Sequence, residues 1–376
     1  MIYYTVKQKP ASEQTTLLDL LKYDVLPKKR KYGSISGTIT RTLETANDEM
    51  TKATSVQRMK NILIAFNSRH EELFEKNRRS MYRHFTIPKR TGGLRKIDAP
   101  CEELQQALRE LKYILSEQFG VMYHTAAFAY VKNRSITQAI EKHQKNGSNW
   151  FLKTDFSGFF PSTTLDFTMK MLEMVFPLSE LCKDAEGKEA LRKALSLAFL
   201  DGGLPQGTTI SPFLSNSIMI PIDHALFNEF ARLKCVYTRY ADDIHISAVE
   251  HFDQNKMIKI IRDTLKKFDA PYEIKDEKTH YGSRSGKNWM LGCMLNKDNN
   301  ITIGWKRKKY WKSMTSNLIM DYKHGKRWDH DDVMHYQGLT SYYLMVEPEY
   351  FKGLIKHFNE KYNINWKMVL KQMLTW

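Results

Sequence analysis

The stretch CVYTRYADDIHIS (Cys235–Ser247) constrains this chain most, because it places two adjacent carboxylates between two runs of strand-forming residues. Val, Ile, Tyr and Thr favour extended backbone, so each run predicts a strand. Asp242 and Asp243 would then lie at the tip of a short hairpin. Two interpretations are open at this point: a polar turn, since Asp is a common turn residue, or carboxylates presented for chemistry.

The charge of the chain points to a polyanionic partner. Its 58 Lys and Arg exceed its 42 Asp and Glu by 16 over 376 residues, which favours nucleic acid first and an acidic membrane second. No run approaches the roughly 18 apolar residues of a membrane span, and the start MIYYTVKQKPASEQ lacks the pattern of a secretory signal. The four cysteines are far apart and predict neither a disulfide scaffold nor a zinc site, so we expect a reduced cytoplasmic protein.

Strand and helix patterns alternate through the middle of the chain. Two strands joined by a Gly-Gly turn are predicted from YRHFTIPKRTGGLRKIDAP, and an amphipathic helix from CEELQQALRELKYILSEQF. A strand pair that turns at Asp298–Asn300 is predicted from NWMLGCMLNKDNNITIGW. This middle part is flanked by two basic ends, of which the last 70 residues are mainly helical in pattern.

A third carboxylate, Asp155, ends the apolar run WFLKTD. An ionised carboxylate at the end of a buried strand needs a partner or a metal. Phosphoryl transfer to a 3′-hydroxyl uses two hard divalent cations about 3.5–4 Å apart, and Mg²⁺ takes oxygen ligands. Asp155, Asp242 and Asp243 could supply these ligands if the strand and the hairpin are neighbours. An ordinary turn or helix N-terminal Asp is the alternative for Asp155.

Five segments occur in the order and at the spacing found in reverse transcriptases, over about residues 81–345. Tyr240–Asp243 resembles their YxDD motif, LKTDFSGFFPS their first catalytic motif, and LPQGTTISPFLSN their Leu-Pro-Gln-Gly segment. The fingers strands are similar to FTIPKRTGGLRKIDAP, and the primer grip to NWMLGCML. The resemblance implies an RNA-directed DNA polymerase of the α+β class with a right-hand fold: fingers, a palm whose antiparallel sheet has helices on one side, and a helical thumb.

The same resemblance implies domain boundaries. They are an N-terminal extension that is mostly helical and basic (1–80), fingers (81–150), a palm with some interleaved fingers segments (151–285), a primer grip (286–300) and a helical basic thumb (301–376).

For catalysis, the resemblance implies that Asp155, Asp242 and Asp243 hold two Mg²⁺ ions, with Mn²⁺ as the alternative. Lys278, in DEKTHY, would protonate the departing pyrophosphate, and Lys275 competes for that role. Phe160 matches the steric gate, where an apolar ring excludes a 2′-hydroxyl. The implied dNTP contacts are Lys89, Arg95, Phe156, Phe160, Gln206, Gly207 and Ala241. Arg90 and Lys96 compete with Lys89 and Arg95 for the triphosphate, which the planar guanidinium of Arg can bind bidentately.

For nucleic acid, the run GWKRKKYWKSMTSNLIMDYKHGKRW combines cations with aromatic residues, which suits a thumb that holds a template–primer duplex. The stretch Gly338–Tyr342 resembles the Gly-Leu-x-x-Tyr segment that packs the thumb bundle of retron and group II intron enzymes. The implied nucleic-acid contacts are Arg90, Tyr240, Trp289, Met290, Gly292, Lys306, Arg307, Lys308, Lys309 and Trp311.

The chain resembles the compact bacterial reverse transcriptases most, and its Gln-Gly-x-x-Ile-Ser-Pro stretch favours the retron and group II side. Implied partners are a cognate noncoding RNA as template, the DNA product, dNTPs, and an accessory protein effector or a second copy of the chain. The retron Asn-Ala-x-x-His motif is replaced by Gln138–His143, and Val-Thr-Gly by Met290–Gly292. This departure puts a standard retron RNA partner in question, so a defence-associated or orphan enzyme is also expected.

Several other functions stay open from the sequence. An RNA-directed RNA polymerase would typically carry a polar residue in place of Phe160. A catalytically silent RNA-binding scaffold would tolerate loss of Asp155 or Asp242, yet both are present. A group II intron-derived enzyme is a third alternative. Untemplated or protein-primed DNA synthesis of the abortive-infection type, in which a Tyr hydroxyl replaces the primer, is a fourth.

Overall fold

A computed structural model describes residues 54–88, 92–286 and 290–375. Most of the predicted N-terminal extension lies outside these residues. The strands, in chain order, are β1 (Tyr82–Pro88), β2 (Leu94–Pro100), β3 (Trp150–Ser157), β4 (Val236–Tyr240), β5 (Asp243–Ala248), β6 (Glu273–Ile274), β7 (His280–Ser283), β8 (Met294–Leu295) and β9 (Ile301–Thr302).

Helices surround these strands along the chain. In chain order they are α1 (54–69), α2 (Glu71–Glu75), α3 (Glu102–Tyr113), α4 (Ile136–Lys145), α5 (Phe159–Ser162), α6 (Leu165–Leu172), α7 (Leu178–Leu181), α8 (Ala185–Ser196), α9 (Ser211–Ile218), α10 (Ile220–Arg232), α11 (Gln254–Lys267), α12 (Trp305–Lys323), α13 (His330–Val346), α14 (Pro348–Tyr362) and α15 (Trp366–Thr375). Every pairing between these strands is antiparallel, so the predicted α+β class is confirmed.

The chain forms two compact units that interleave in sequence. Within the described residues, the first unit is 54–122 with Thr163–Ile218, and the second unit is Tyr123–Ser162 with 219–375. This division differs from the linear domain boundaries drawn from the sequence, which remain a prediction.

In the first unit, β1 and β2 form the predicted hairpin, paired from Tyr82 opposite Pro100 to Pro88 opposite Leu94. The amphipathic helix α3 follows and buries Leu104, Leu108 and Leu111, so the predicted helix is confirmed. Its last turn continues into a π-helical stretch, Ile114–Gln118.

The sheet of the second unit has the order β4-β5-β3-β6, and β7 also pairs with β3. Neighbouring residues on a strand point to opposite faces. Tyr237 donates a hydrogen bond to Asp223 of α10, whereas Thr238 bonds His143 of α4. Helices therefore cover both faces of this sheet, and the prediction of helices on one side is wrong. On the face opposite α10, His143 of α4 contacts Thr238 of β4 and Ser247 of β5.

The C-terminal helices α12 to α15 pack around buried aromatic side chains. Trp311 donates its indole N–H to Thr340 at 2.8 Å, and Trp366 donates its own to the Tyr336 hydroxyl at 2.9 Å. These bonds satisfy polar atoms that burial would otherwise leave unpaired. The predicted helical C-terminal part is confirmed. None of the described helices is both long and apolar enough to cross a membrane.

Candidate active site

The turn between β4 and β5 presents the paired carboxylates. Tyr240 lies opposite Asp243 in the antiparallel register, so Ala241 and Asp242 form the connection. The predicted hairpin is thereby confirmed. Ala241 has a positive φ of 57°, which is uncommon for a residue with a Cβ and fits a tight two-residue hairpin turn. Tyr240 is partly exposed, whereas Ala241 is buried.

Asp155 lies on β3 directly opposite Asp243 of β5. Directly paired residues share one face of a sheet, with Cβ atoms about 4.5–5.5 Å apart. The backbone N–H of Phe156 donates to the carbonyl of Asp242 at 3.2 Å, which brings the turn beside the strand. The sequence predicted that the strand ends at Asp155. Instead β3 continues to Ser157, because Phe156 and Ser157 pair with β6.

Negative charge is concentrated at this point and is only partly compensated. Burial, followed by the charges of Asp155 and Asp243, raises the pKa of Asp242 to about 6. Asp155 is 6% exposed, and its Oδ1 atom is buried without a hydrogen-bond partner. Lys153 lies 3.0 Å from Asp243.

Two lysines reach Asp155, and the structure distinguishes them. The Nζ atom of Lys278 lies 2.5 Å from Oδ2, whereas that of Lys275 lies 3.7 Å from Oδ1. The hydrogen bond with Asp155 is the main cause that raises the pKa of Lys278. Of the two candidates for the proton donor, Lys278 is therefore in closer contact with Asp155.

These carboxylates suit a hard divalent cation by their chemistry. The buried Oδ1 atom of Asp155 accepts no hydrogen bond, although the Lys275 ammonium lies 3.7 Å away, and the neighbouring Asp242 carboxyl has a raised pKa. Both features leave room for a cation to add to this pair. Within residues 54–88, 92–286 and 290–375, no three His, Cys, Asp or Glu side chains already stand in a metal-binding arrangement. Asp155 and Asp242 thus fit a metal as a pair, to which substrate oxygens and water would add.

The aromatic residues after Asp155 differ in what they can contact. Phe156 is fully buried and stacks on Phe159 and Tyr272 at ring distances of 5.7 and 5.4 Å. The ring is enclosed in this cluster, and the contact of Phe156 with the dNTP stays a prediction. Phe160, in α5, is only half-buried and meets Phe159 edge-on at 5.6 Å. The role of Phe160 as a steric gate stays a prediction.

In the first unit, Gln206 and Gly207 lie against β2. The carbonyl of Gln206 accepts the backbone N–H of Asp98 at 2.7 Å. Gly207 has a φ of 131°, and a Cβ there would stand 2.7 Å from the Asp98 carbonyl oxygen. Its lack of a side chain therefore permits close approach to β2. Arg95 and Lys96 are exposed on that strand, whereas Lys89 and Arg90 lie outside the described residues.

The predicted primer grip is a tight turn in the second unit. Met290 and Cys293 exchange both backbone hydrogen bonds, and Gly292 between them has a φ of 85°. Met290 is 2% exposed, so its side chain packs in the core rather than on a nucleic acid. Trp289 lies outside the described residues. The hydroxyl of Tyr342 donates to the carbonyl of Leu291 at 3.3 Å and contacts the Cys293 sulfur at 3.2 Å.

The cations at the start of α12 are in different environments. Lys306 and Lys309 are exposed, and Lys309 lies 5.3 Å from the ring centre of Trp305, which is 70% exposed. Lys308 forms an ion pair with Glu347 at 2.5 Å, which neutralises it. Arg307 donates to the carbonyl of Gly292 and so ties α12 to the turn.

Trp311 requires a correction. It is fully buried among the aromatic residues of the bundle, so its predicted contact with nucleic acid is wrong. A helix of mixed cations and aromatics does not reveal from sequence which ring faces the core. Exposed Trp305 and Tyr310 carry the aromatic surface instead.

Three residues that matter to the site were not singled out from the sequence. Lys153 balances Asp243, and Arg239 with Asp223 supports the turn from beneath. Lys153 lies within LKTD and Arg239 directly before the YxDD motif, so each was in a quoted segment. The role of Asp223 is seen only in the structure, where it forms an ion pair with Arg239.

The residues at the place of the retron Asn-Ala-x-x-His motif have local structural roles. Gln138 forms a capping box with Ser135 at the start of α4. His143 is buried and bonds the hydroxyls of Ser247 and Thr238 at 2.6 and 2.8 Å. Burial lowers its pKa to about 3, so the ring is neutral.

Comparison with known proteins gives consistent matches. The family described as reverse transcriptase (RNA-dependent DNA polymerase) matches residues 87–309. Retron Ec83 reverse transcriptase of Escherichia coli is 28% identical over 286 residues, which cover 74% of this chain and 87% of that protein. Retron Ec73 reverse transcriptase of Escherichia coli is 25% identical over 291 residues, or 73% and 86%.

A solved structure of apo telomerase from Candida tropicalis is 13% identical with a TM-score of 0.44. The alignment covers 66% of this chain and 52% of the telomerase, so the chain spans about half of that protein's length.

Proposed function

This chain belongs to the reverse transcriptase family, the RNA-dependent DNA polymerases, and we propose that it copies a dedicated noncoding RNA into DNA in a bacterium. The family resemblance inferred from the sequence is confirmed, as is the fold class. Similarity to retron reverse transcriptases over about three quarters of the chain supports a retron-like template. A cytoplasmic location is part of the proposal, because transcripts and dNTPs are available there.

One observation carries the proposed chemistry. Asp155 and Asp243 face each other across β3 and β5, and the turn holds Asp242 beside them. This pairing brings together carboxylates that are 87 and 88 positions apart in the sequence (242 − 155 and 243 − 155). A partly compensated cluster of this kind is costly to fold unless a ligand or a reaction uses it.

In the proposed mechanism, Asp155 and Asp242 would hold Mg²⁺, or Mn²⁺ in its place, with Asp243 beside them. Divalent cations at these carboxylates would supply charge neutralisation at the transferring phosphate and activation of the primer hydroxyl. The protein itself contributes orientation, since the strand pairing and the turn determine where both carboxylates point.

Lys278 serves as the proton donor in this proposal. It contacts Asp155 and is 52% exposed at the side chain, so it can reach a departing pyrophosphate as well as the carboxylate. The contact with Asp155 raises its pKa, so the ammonium is protonated at neutral pH and carries a proton that it can donate to the oxygen of the departing pyrophosphate as negative charge develops there.

Phe160 excludes ribonucleotides in this proposal, because its half-buried ring offers a 2′-hydroxyl neither space nor a hydrogen bond. Phe160→Ala should raise ribonucleotide incorporation at least about tenfold relative to dNTPs, as measured by single-nucleotide extension. Phe227→Ala, which removes an exposed ring on α10, is the matched control. Unchanged rejection of ribonucleotides by Phe160→Ala would remove Phe160 from this role.

The proposed function is tested by sequencing the nucleic acid that co-purifies with the protein. Wild type should carry a defined RNA joined to complementary DNA, and Asp242→Asn should carry the RNA alone. Asp263→Asn, which changes an exposed aspartate of α11, should behave as wild type. RNA without DNA in the wild type would favour an RNA-binding scaffold, and DNA without a template would favour untemplated synthesis.

The biological role completes the proposal. A retron-like or antiphage defence function is supported by the similarity to retron enzymes. Counting phage plaques on cells that express wild type or Asp242→Asn distinguishes a defence role from one that is independent of phage.

A further inference from the structure

A buried ion pair lies directly beneath the β4–β5 turn. Arg239 of β4 and Asp223 of α10 are both fully buried. The guanidinium donates from Nε to Oδ1 at 2.8 Å and from Nη2 to Oδ2 at 2.7 Å, and the hydroxyl of Tyr237 also donates to Oδ1 at 2.7 Å. This bidentate geometry holds the guanidinium plane in one orientation.

The remaining terminal nitrogen of Arg239 reaches the turn itself. Nη1 donates to the backbone carbonyl of Ala241 at 2.9 Å. That carbonyl belongs to the peptide that joins Ala241 to Asp242, and Ala241 has the positive φ. A residue with a Cβ holds such a conformation only when its surroundings enforce it. The bond from Arg239 is such a constraint, since it selects one orientation of the peptide before Asp242.

The backbone of Arg239 is also held. Its N–H donates to the carbonyl of Ala126 at 2.8 Å, and its carbonyl accepts the N–H of Phe128 at 2.9 Å. The end of β4 is thus tied to the 126–128 segment through its backbone and to α10 through its side chain. The guanidinium of this fixed residue in turn bonds the Ala241 carbonyl of the turn.

We propose that Arg239 is a positioning residue, oriented by Asp223, that places the Asp242 carboxylate for divalent-cation binding through its bond to the Ala241 carbonyl. The inference rests on the proposed function in one respect, that Asp242 holds the cation. A purely structural ion pair would need only the contacts between Arg239 and Asp223. A structural role does not explain the third hydrogen bond, from Nη1 of Arg239 to the peptide before Asp242.

Two variants separate positioning from stability. Arg239→Lys keeps a buried cation near Asp223 but lacks the planar group that binds Asp223 and Ala241 together. The double change Asp223→Leu with Arg239→Met replaces the pair by apolar side chains, which buried pairs often tolerate. Tyr237→Phe is the matched control, because it removes one bond to Asp223 and leaves the bond from Arg239 to Ala241 intact.

The test measures Mn²⁺ binding by electron paramagnetic resonance without substrate, together with the Mg²⁺ concentration dependence of primer extension. Loss of a group that holds a metal ligand in place typically weakens metal affinity roughly 10- to 100-fold. We expect a weakening of this order in both Arg239 variants, a matching rise in the Mg²⁺ requirement, partial rescue at high Mn²⁺, and wild-type values for Tyr237→Phe.

Each outcome decides between the proposals. If the wild type binds no Mn²⁺, or if Asp242→Asn leaves its Mn²⁺ binding unchanged, the proposed function itself is overturned. The second outcome is that Mn²⁺ binding of the wild type depends on Asp242, but a folded Arg239→Lys variant or a folded double variant binds Mn²⁺ with normal affinity. This would overturn the positioning role alone. Loss of cooperative unfolding in both Arg239 variants would show that the pair serves the fold, and would likewise overturn the positioning role.

Discussion

Two polar clusters lie at the end of the same sheet, and they differ in how fully their charges are compensated. The Asp223–Arg239 cluster, which includes Tyr237, is completely buried, and both oxygens of its carboxylate accept hydrogen bonds from Arg239. The carboxylate cluster is made of Asp155, Asp242 and Asp243. It keeps a buried oxygen on Asp155 that accepts no hydrogen bond, and a raised pKa on Asp242.

This difference in charge compensation distinguishes a cluster that stabilises the fold from one that is available for chemistry. A buried charge that only stabilises a fold must be compensated within the chain. The Asp223–Arg239 cluster meets that condition, whereas the carboxylate cluster relies on lysines at its edge. Lys278 and Lys275 lie 2.5 and 3.7 Å from Asp155, and Lys153 lies 3.0 Å from Asp243. We infer that this weaker compensation leaves the carboxylate cluster open to ligands. Changing one group of either cluster at a time tests the contrast.

The largest expected effect is the loss of catalysis on neutralising Asp242. Asp242→Asn keeps the shape of the side chain but removes a carboxylate that we propose binds the metal. Because metal-assisted charge stabilisation amounts to several kcal/mol, DNA synthesis should fall about a thousandfold or more. Single-turnover primer extension in Mg²⁺ measures this, with Asp263→Asn as the control. Activity near that of the control would break the assignment of the carboxylate cluster.

The next effect should be a loss of stability when the satisfied cluster is disturbed. Asp223→Asn leaves Arg239 as a buried cation without its counter-ion, so the free energy of unfolding should drop by about 3–5 kcal/mol. Urea unfolding at neutral pH, followed by circular dichroism, gives the value. A change as small as that of a surface aspartate would show that the ion pair is not the support proposed here.

The same chemical change at Asp242 should act in the opposite direction on stability. Its pKa in the folded protein, about 6, exceeds its usual 3.8. The folded state therefore binds the proton more tightly, and stability is lost as pH rises from about 4 through 6. Without divalent cations, Asp242→Asn should be more stable than wild type by roughly 2 to 3 kcal/mol at pH 8.

This gain should vanish near pH 4, where the wild-type carboxyl is protonated as well. Thermal unfolding in a chelator at both pH values measures it. An Asn variant less stable than wild type at pH 8 would mean that the carboxylate is compensated within the chain, and the contrast between the two clusters would fail.

The smallest effect concerns Tyr237, whose hydroxyl donates one of the bonds to Asp223. Tyr237→Phe should lower the free energy of unfolding by about 1–2 kcal/mol, since Arg239 still compensates the carboxylate. Synthesis and metal dependence should stay at wild-type levels. A catalytic loss without a loss of stability would place Tyr237 in the functional part of the site.

Local sequence patterns were enough to predict the hairpin that carries Asp242 and the order of the motifs. Strand propensity on both sides of an Asp pair is a short-range signal, and the structure has the turn at the predicted place. The extent of β3 was misjudged, because Phe156 and Ser157 are extended by pairing with β6, more than a hundred residues later. Trp311 was misplaced for a related reason, since only the packing of the bundle decides which aromatic residue of α12 is buried.

The chemical nature of the site was determined by the sequence alone: its carboxylates, its excess of cations and the order of its reverse transcriptase motifs. Local propensity and residue type are sufficient for that, because they do not depend on distant contacts. The tertiary structure decided that Asp155 faces Asp243, that Lys278 rather than Lys275 is closer to Asp155, and that Arg239 reaches the Ala241 carbonyl. Each of these depends on strand register and side-chain burial, which arise only when segments far apart in the chain pack together.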